Sequence, residues 1–235
     1  MKILAVQNRM GIGDTVIFLP FIEAIYRKFN SPVSLLVKKS SKADQYCKHT
    51  NYLDKIIFLE RDNKKKEKHN GLIGSLRLAQ ELKKNKFDKI FIFNSSLRFN
   101  LIARLANIKE IYQYPLFKKN KQHIIQPAKD LIKKNLGIDV VKNPQIEISS
   151  NLTKNSNLKL NMNLNEQNVL LGIGGSGPTK RIPSKTFLSV MEKICNFKKS
   201  KFFLATGKKD DEQKILNQIL NSKFKDKCIP LDDLS

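Results

Sequence analysis

Two glycine-rich stretches, each directly behind a β-branched apolar run, hold the residues best suited to chemistry. In RMGIGDTVIFLP, residues 9–20, Gly11 and Gly13 permit a tight turn and a close backbone approach, and Asp14 stands just ahead of a helical pattern. An aspartate in that place has two uses. It can cap the helix by accepting an amide hydrogen bond from the first turn, or it can take the proton of an attacking hydroxyl as a general base. Spacing alone leaves both open. In GIGGSGPTKRIPSKTF, residues 172–187, four glycines fall within six residues, and Thr179, Lys180 and Arg181 follow. Loop amides, the Ser176 hydroxyl and two fixed cations are the parts of a phosphate or diphosphate site.

Neither loop matches the better-known phosphate motifs. A dinucleotide fingerprint would need a glycine where Val16 stands, and an acid where the second apolar run ends in Val37, Lys38 and Lys39. A P-loop would need lysine directly after Gly177, where Pro178 is found. The three histidines, His49, His69 and His123, form no zinc-binding pair, and Cys47, Cys195 and Cys228 are far apart with no CxxC spacing. Glu60 and Asp62, in a lysine-rich connection, are a weak pair for a cation, so no metal site is expected.

To place these loops, the chain must put strand ends next to helix starts. The first half repeats a short apolar run followed by a longer amphipathic segment: strands are expected over residues 2–7, 33–37, 55–59, 89–93 and 109–114, and helices over 16–29, 40–48, 72–85, 97–106 and 122–136. That alternation predicts a mostly parallel sheet covered by helices. In the first helix Phe18, Ile22, Ile25 and Phe29 share one face, with Pro20 marking a kink or a late start. In the helix over 72–85, Leu72, Leu76, Ala79 and Leu82 read as the core stripe. Residues 61–70, RDNKKKEKHN, read as a solvated connection or a basic lip over an anionic substrate.

After Gly137 the texture changes. A short strand is a candidate over 145–148, and the asparagine- and serine-rich segment 149–168 reads as a linker or boundary. A second alternating unit follows, with strands over 169–173 and 201–206 and helices over 184–196 and 210–220. The expected division is residues 1–150, a linker over 151–168, and an incomplete second unit over 169–235.

The chain has 235 residues, 40% of them apolar, enough for a real core. It has neither a long apolar span nor the start of a signal peptide, and is read as cytoplasmic. Its net charge of +23 would attract phosphate, nucleic acid or an anionic membrane face. However, 37 lysines stand against only 7 arginines, beside 22 asparagines, a bias that compositional drift would also produce. A nucleic-acid module is the rival class. It gains from the charge but lacks a recognition helix, zinc finger or basic segment interleaved with aromatics.

Four segments in order resemble the glycosyltransferase family 9 proteins, which include the ADP-heptose:lipopolysaccharide heptosyltransferases: RMGIGDTVIFLPFIEAI, FDKIFIFNSSLRFNLIARLANIKEIYQY, GGSGPTKRIPSKTF and FFLATGKKDDEQKIL. The resemblance implies a GT-B-like α/β fold of two facing Rossmann-like domains with parallel sheets, the second truncated. The first domain would be on the acceptor side and the second on the donor side. It implies an inverting transferase that moves a heptose or related sugar from a nucleotide-diphosphate sugar, with ADP-heptose the leading candidate, to a hydroxyl of a lipopolysaccharide core or similar surface glycan. Asp14 would be the base. Gly175, Ser176, Lys180 and Arg181 would hold the donor phosphates, and Gly11, Gly13, Asn94, Ser95 and Ser96 would shape the acceptor side. No cofactor is implied beyond the donor substrate; the partners are that donor and an anionic glycolipid, reached at the cytoplasmic face of the inner membrane. The family's Asp-Ser/Thr-Gly segment with a following histidine does not occur before Ser235. A missing carboxyl-terminal region would then be needed to complete the donor site, and a catalytically inactive remnant is the alternative within the family.

Overall fold

The structure is a computed structural model that describes residues 1–9, 11–61, 67–116, 123–160, 162–163, 165–174 and 181–231. Within it the first apolar run becomes β1 (Ile3–Gln7), and Ile3, Leu4, Ala5 and Val6 are each at most 1% exposed. A strand buried on both faces belongs in the middle of a parallel sheet covered by helices. It lies there, between β2 (Val33–Lys38) and β4 (Lys89–Ile92), with β3 (Leu53–Leu59) and β5 (Glu110–Gln113) outermost, in the all-parallel order β3-β2-β1-β4-β5. Alternating side chains divide the core between the two faces. Ala5, Leu35 and Phe91 pack under α2 (Leu19–Phe29) and α6 (Gln126–Leu136). Leu4, Val6, Leu36 and Ile92 pack under α4 (Gly71–Asn85) and α5 (Leu97–Leu105).

The chain divides into two compact units, Met1–Ser149 and Ser150–Ser235. The second opens with α7 (Ser150–Lys159), none of whose residues is buried. Its sheet runs in parallel order β6 (Gln167–Gly172), β7 (Ser200–Ala205), β8 (Cys228–Leu231). Helices α8 (Ser184–Phe197) and α9 (Asp210–Leu220) contribute Met191, Leu216 and Ile219 to a core around Phe202 and Leu204.

Several elements differ from expectation. The helix expected over 16–29 is two helices, α1 (Ile12–Val16) and α2, because Pro20 occupies the first turn of α2, where a missing N–H costs nothing. The 40–48 segment holds only a 3-10 turn at Lys39–Ser41 and the four-residue α3 (Ala43–Tyr46). No strand forms over 145–148. The expected linker is partly helical, as α7, and β8 was not expected at all. Its Pro230 pairs opposite Leu204 in a strand that, among the described residues, has a partner on one side only, where a missing donor is tolerated.

The core stripe of α4 is also corrected. Leu82 and Ala79 are buried, but Leu72 is 86% and Leu76 52% exposed; Leu78 and Gly74 are the buried residues instead. The cause is a close backbone approach. A Cβ on Gly74 would lie 2.2 Å from the His69 carbonyl carbon, so the helix presents its glycine, not Leu72 or Leu76, to the chain beneath.

Candidate functional site

In a doubly wound sheet ligands gather past the carboxyl ends of the strands where the order reverses. Here that point lies between β1 and β4, and the loops behind those two strands carry the acceptor-side residues expected from the sequence. Gly11 has φ 103°, a conformation that only glycine adopts without strain, and it leads directly into α1. Gly13 is different: it sits inside α1, and a Cβ placed there would meet nothing within 4 Å, so its lack of a side chain is not required by the turn.

Asp14 stands in the first turn of α1, partly exposed, and makes no side-chain capping bond there. Among the described residues its carboxylate has no hydrogen-bond or ion-pair partner, whereas its backbone carbonyl is fixed by Gln7 Nε2 at 2.8 Å. Gln7 is fully buried and also accepts the Arg9 N–H through Oε1 at 2.7 Å, so one side chain pins both ends of the Asp14 loop. Capping therefore does not occupy the Asp14 carboxylate. Gln7→Leu, nearly the same shape, should cost about 1–3 kcal/mol by leaving those backbone groups unpaired. Urea denaturation reads the cost; unchanged stability would show that water replaces the glutamine.

The loop after β4 is tied to this one. Asn94 Nδ2 reaches Asn8 Oδ1 at 3.3 Å, and Asn94 Oδ1 accepts the Ser96 N–H at 2.9 Å. Gln113, at the end of β5, donates to the carbonyls of Asn94 and Ser96 and is itself held by Asn100. Asn94 and Ser96 are thus loop-building residues brought next to the Asp14 loop, while Ser95 is exposed between them.

Arg61 and Asn70, the two ends of the connection read as solvated or as a basic lip, line a pocket beside them; residues 62–66 of that connection lie outside the described residues. A cavity of about 350 Å³ is lined by Asn8, Lys38, Leu59, Arg61 and Asn70, at the carboxyl ends of β1, β2 and β3. Partial burial, with the Arg61 charge adding to it, lowers the pKa of nearby Arg98, and among the described residues neither arginine has a carboxylate partner. Arg98 Nε is buried with no hydrogen bond, while its other end donates to the His69 carbonyl. Two cations so placed favour an anion between or beside them.

His69 braces this pocket from below. It is 1% exposed, its Nδ1 accepts the Glu60 N–H at 3.0 Å, and Nε2, which must then carry the ring proton, faces Glu81 at 3.3 Å. Partial burial pushes the Glu81 carboxyl up, but Lys68 and His69 more than offset it and hold it below its ordinary value. The signal available in the sequence was a lone histidine closing a charged run; without the contact from Gly74 nothing distinguished it from a surface residue.

In the second unit, Gly175, Ser176 and Lys180 lie outside the described residues. What flanks them is informative. Gly174, behind β6, approaches the Gly207 backbone nitrogen behind β7, and both glycines adjoin the carboxylate of Glu212, itself 4% exposed. Gln213 Nε2 holds the Gly207 carbonyl at 2.8 Å. Arg181 is paired with Asp211 and lies 3.9 Å from Glu212, at the start of α9. Its charge therefore has carboxylates beside it.

Two parallel sheets, each flanked by helices, make a GT-B-like fold of two Rossmann-like domains. No protein-family model matches the chain, and no curated protein does. Solved structures do. A glycosyl transferase family 9 protein from Veillonella parvula DSM 2008 matches with a TM-score of 0.77 at 15% identity, over 100% of this chain and 70% of that one. E. coli ADP-heptose lps heptosyltransferase II matches at 0.71 and 13% identity, over 100% and 73%. E. coli heptosyltransferase WaaC, with ADP-2-deoxy-2-fluoro heptose, matches at 0.67 and 14%, over 100% and 77%. At such identities the likeness concerns the fold.

Proposed function

We propose that the protein is an inverting glycosyltransferase that moves a heptose or related sugar from a nucleotide-diphosphate sugar to a hydroxyl of a surface glycan such as a lipopolysaccharide core. The observation that carries this reading is the Asp14 carboxylate, unpartnered among the described residues, on a loop that Gln7 holds through the Asp14 backbone carbonyl at the switch point of a fold shared with heptosyltransferases. The first unit takes the acceptor and the second the donor. The acceptor oxygen attacks the anomeric carbon, the bond from that carbon to the diphosphate oxygen breaks, and the acceptor proton passes to Asp14. Charge growing on the departing diphosphate is met by Lys180 and the amides around Gly175 and Ser176. The basic pocket of Lys38 and Arg61 suits an acceptor that carries phosphate or carboxylate groups.

The test is a titration of the protein with ADP-, UDP- and GDP-linked sugars and a control oligonucleotide, repeated on Lys180→Ala. One nucleotide sugar should bind in preference to the others. The substitution should weaken it about tenfold or more while oligonucleotide binding hardly changes, because one local contact is lost and the diffuse charge remains. Equal loss for every anion would make Lys180 an ordinary surface charge, and tight, selective oligonucleotide binding without nucleotide-sugar binding would replace the assignment by the nucleic-acid one.

A further inference from the structure

An apolar groove of about 600 Å³ lies between α4 and α5. Leu72, Leu76, Leu97, Leu101 and Leu105 line it at 44–86% exposure, and Ile73 beside them is 68% exposed. On α5 the three leucines recur every fourth residue, so they form one stripe along the outside of the helix, opposite the buried Phe99 and Ala103. Water-facing leucines in a continuous row mark a surface that something apolar covers. The groove begins at Gly71 and Leu97, the first residues of α4 and α5, at the end of the sheet that also carries Asp14 and the basic pocket. Arg98 lines the groove and donates to the His69 carbonyl.

Charge identifies the occupant. The two helices carry Arg77, Lys83, Lys84, Arg98 and Arg104 against the single acid Glu81, which is already paired with Lys68. Arg77 follows Ile73, and Arg104 follows Leu101, at same-face spacing, and both arginines are exposed. An apolar strip rimmed by exposed cations is complementary to an anionic bilayer, into which leucines sink while arginines stay with the headgroups. Among the described residues no helix is long and apolar enough to cross a membrane. We infer that the α4–α5 face docks the protein reversibly onto an anionic lipid surface, with the Asp14 end of the first sheet brought towards lipid-borne acceptors. This rests on the glycosyl-transfer reading only for the nature of the acceptor; lipid binding is measured with no donor present, so either can fail alone.

The experiment is flotation of the full chain with vesicles of phosphatidylcholine containing about a third phosphatidylglycerol, and with pure phosphatidylcholine. The protein should bind the anionic vesicles, and L76Q/L101Q should bind them about tenfold or more weakly with its thermal transition unchanged. Phe197→Gln, at a 91% exposed site in the second unit, should bind like the parent. R77E/R104E leaves the groove intact and should also weaken binding, whereas K154E/K159E, an equal change in charge on α7, should not. If L76Q/L101Q loses its fold, that arginine pair and its lysine control decide. Equal binding by all variants would reduce the interaction to diffuse charge and overturn the inference. So would a parent that sediments as a dimer which L76Q/L101Q dissociates without change in vesicle binding, since a second copy would then be what covers the groove.

Discussion

Asp14→Asn should lower turnover by about a hundred- to ten-thousand-fold, the range over which a positioned general base acts, while donor affinity and thermal stability stay close to those of the parent. The reasoning is geometric. The Asp14 carboxylate makes no cap and no ion pair among the described residues, so an amide of the same shape breaks no contact. The loop is held through the Asp14 backbone carbonyl, which the substitution preserves. What is removed is only the capacity to accept a proton. Release of nucleoside diphosphate, measured with the donor that binds best, is the readout, with the donor dissociation constant and the melting temperature as controls. Equal fold-changes in turnover and donor affinity would assign Asp14 to donor binding. A loss of stability with normal turnover would return it to a structural role.

The second large effect is on stability, and its sign is opposite to the usual one. Glycine within a helix is ordinarily improved by alanine, by about 1 kcal/mol. At Gly74 a Cβ would lie 2.2 Å from the His69 carbonyl carbon, 2.7 Å from its Cα and 2.8 Å from its oxygen, all backbone atoms that no side-chain rotation can move. Gly74→Ala should therefore destabilise the first unit by about 1–3 kcal/mol, as overpacking does in a tight core. It should also displace His69 and, through the His69 carbonyl, the Arg98 side chain. Gly13→Ala is the matched comparison: a helical glycine with open space around it, expected to be neutral or slightly stabilising. Urea denaturation of both variants is the measurement. Similar midpoints for the two would mean that α4 shifts along its axis at little cost.

How much of this was visible in the sequence varies from element to element. The strands of the first sheet announced themselves because a strand buried on both faces reads as a nearly continuous apolar run, as in the residues of β1 and β2. Alternation with helices then gave the parallel arrangement. β8 did not announce itself, being four residues long with a proline inside it. On α4 the periodicity was real, but period alone does not say which stripe faces inward when two are apolar; the close approach at Gly74 decided it. At the site, the glycine spacing drew attention to Asp14 and to the loop behind β6. The Gln7 brace and the pairing of Arg181 with Asp211 could not be read, since each depends on residues whose neighbours are set only by folding.

The burial of β1 has a consequence for how the chain is made. Its neighbours on either side are β2 and, far later in the chain, β4. Between the synthesis of Gln7 and that of Lys89, one edge of this buried, mostly apolar strand has nothing of its own chain to pair with. At roughly 5–20 residues per second that wait is on the order of ten seconds. During that time a nascent Ile-Leu-Ala-Val segment is a target for holding chaperones and for neighbouring nascent chains alike, so yield in the cell is set in part by what shields these few residues before Ile92 arrives.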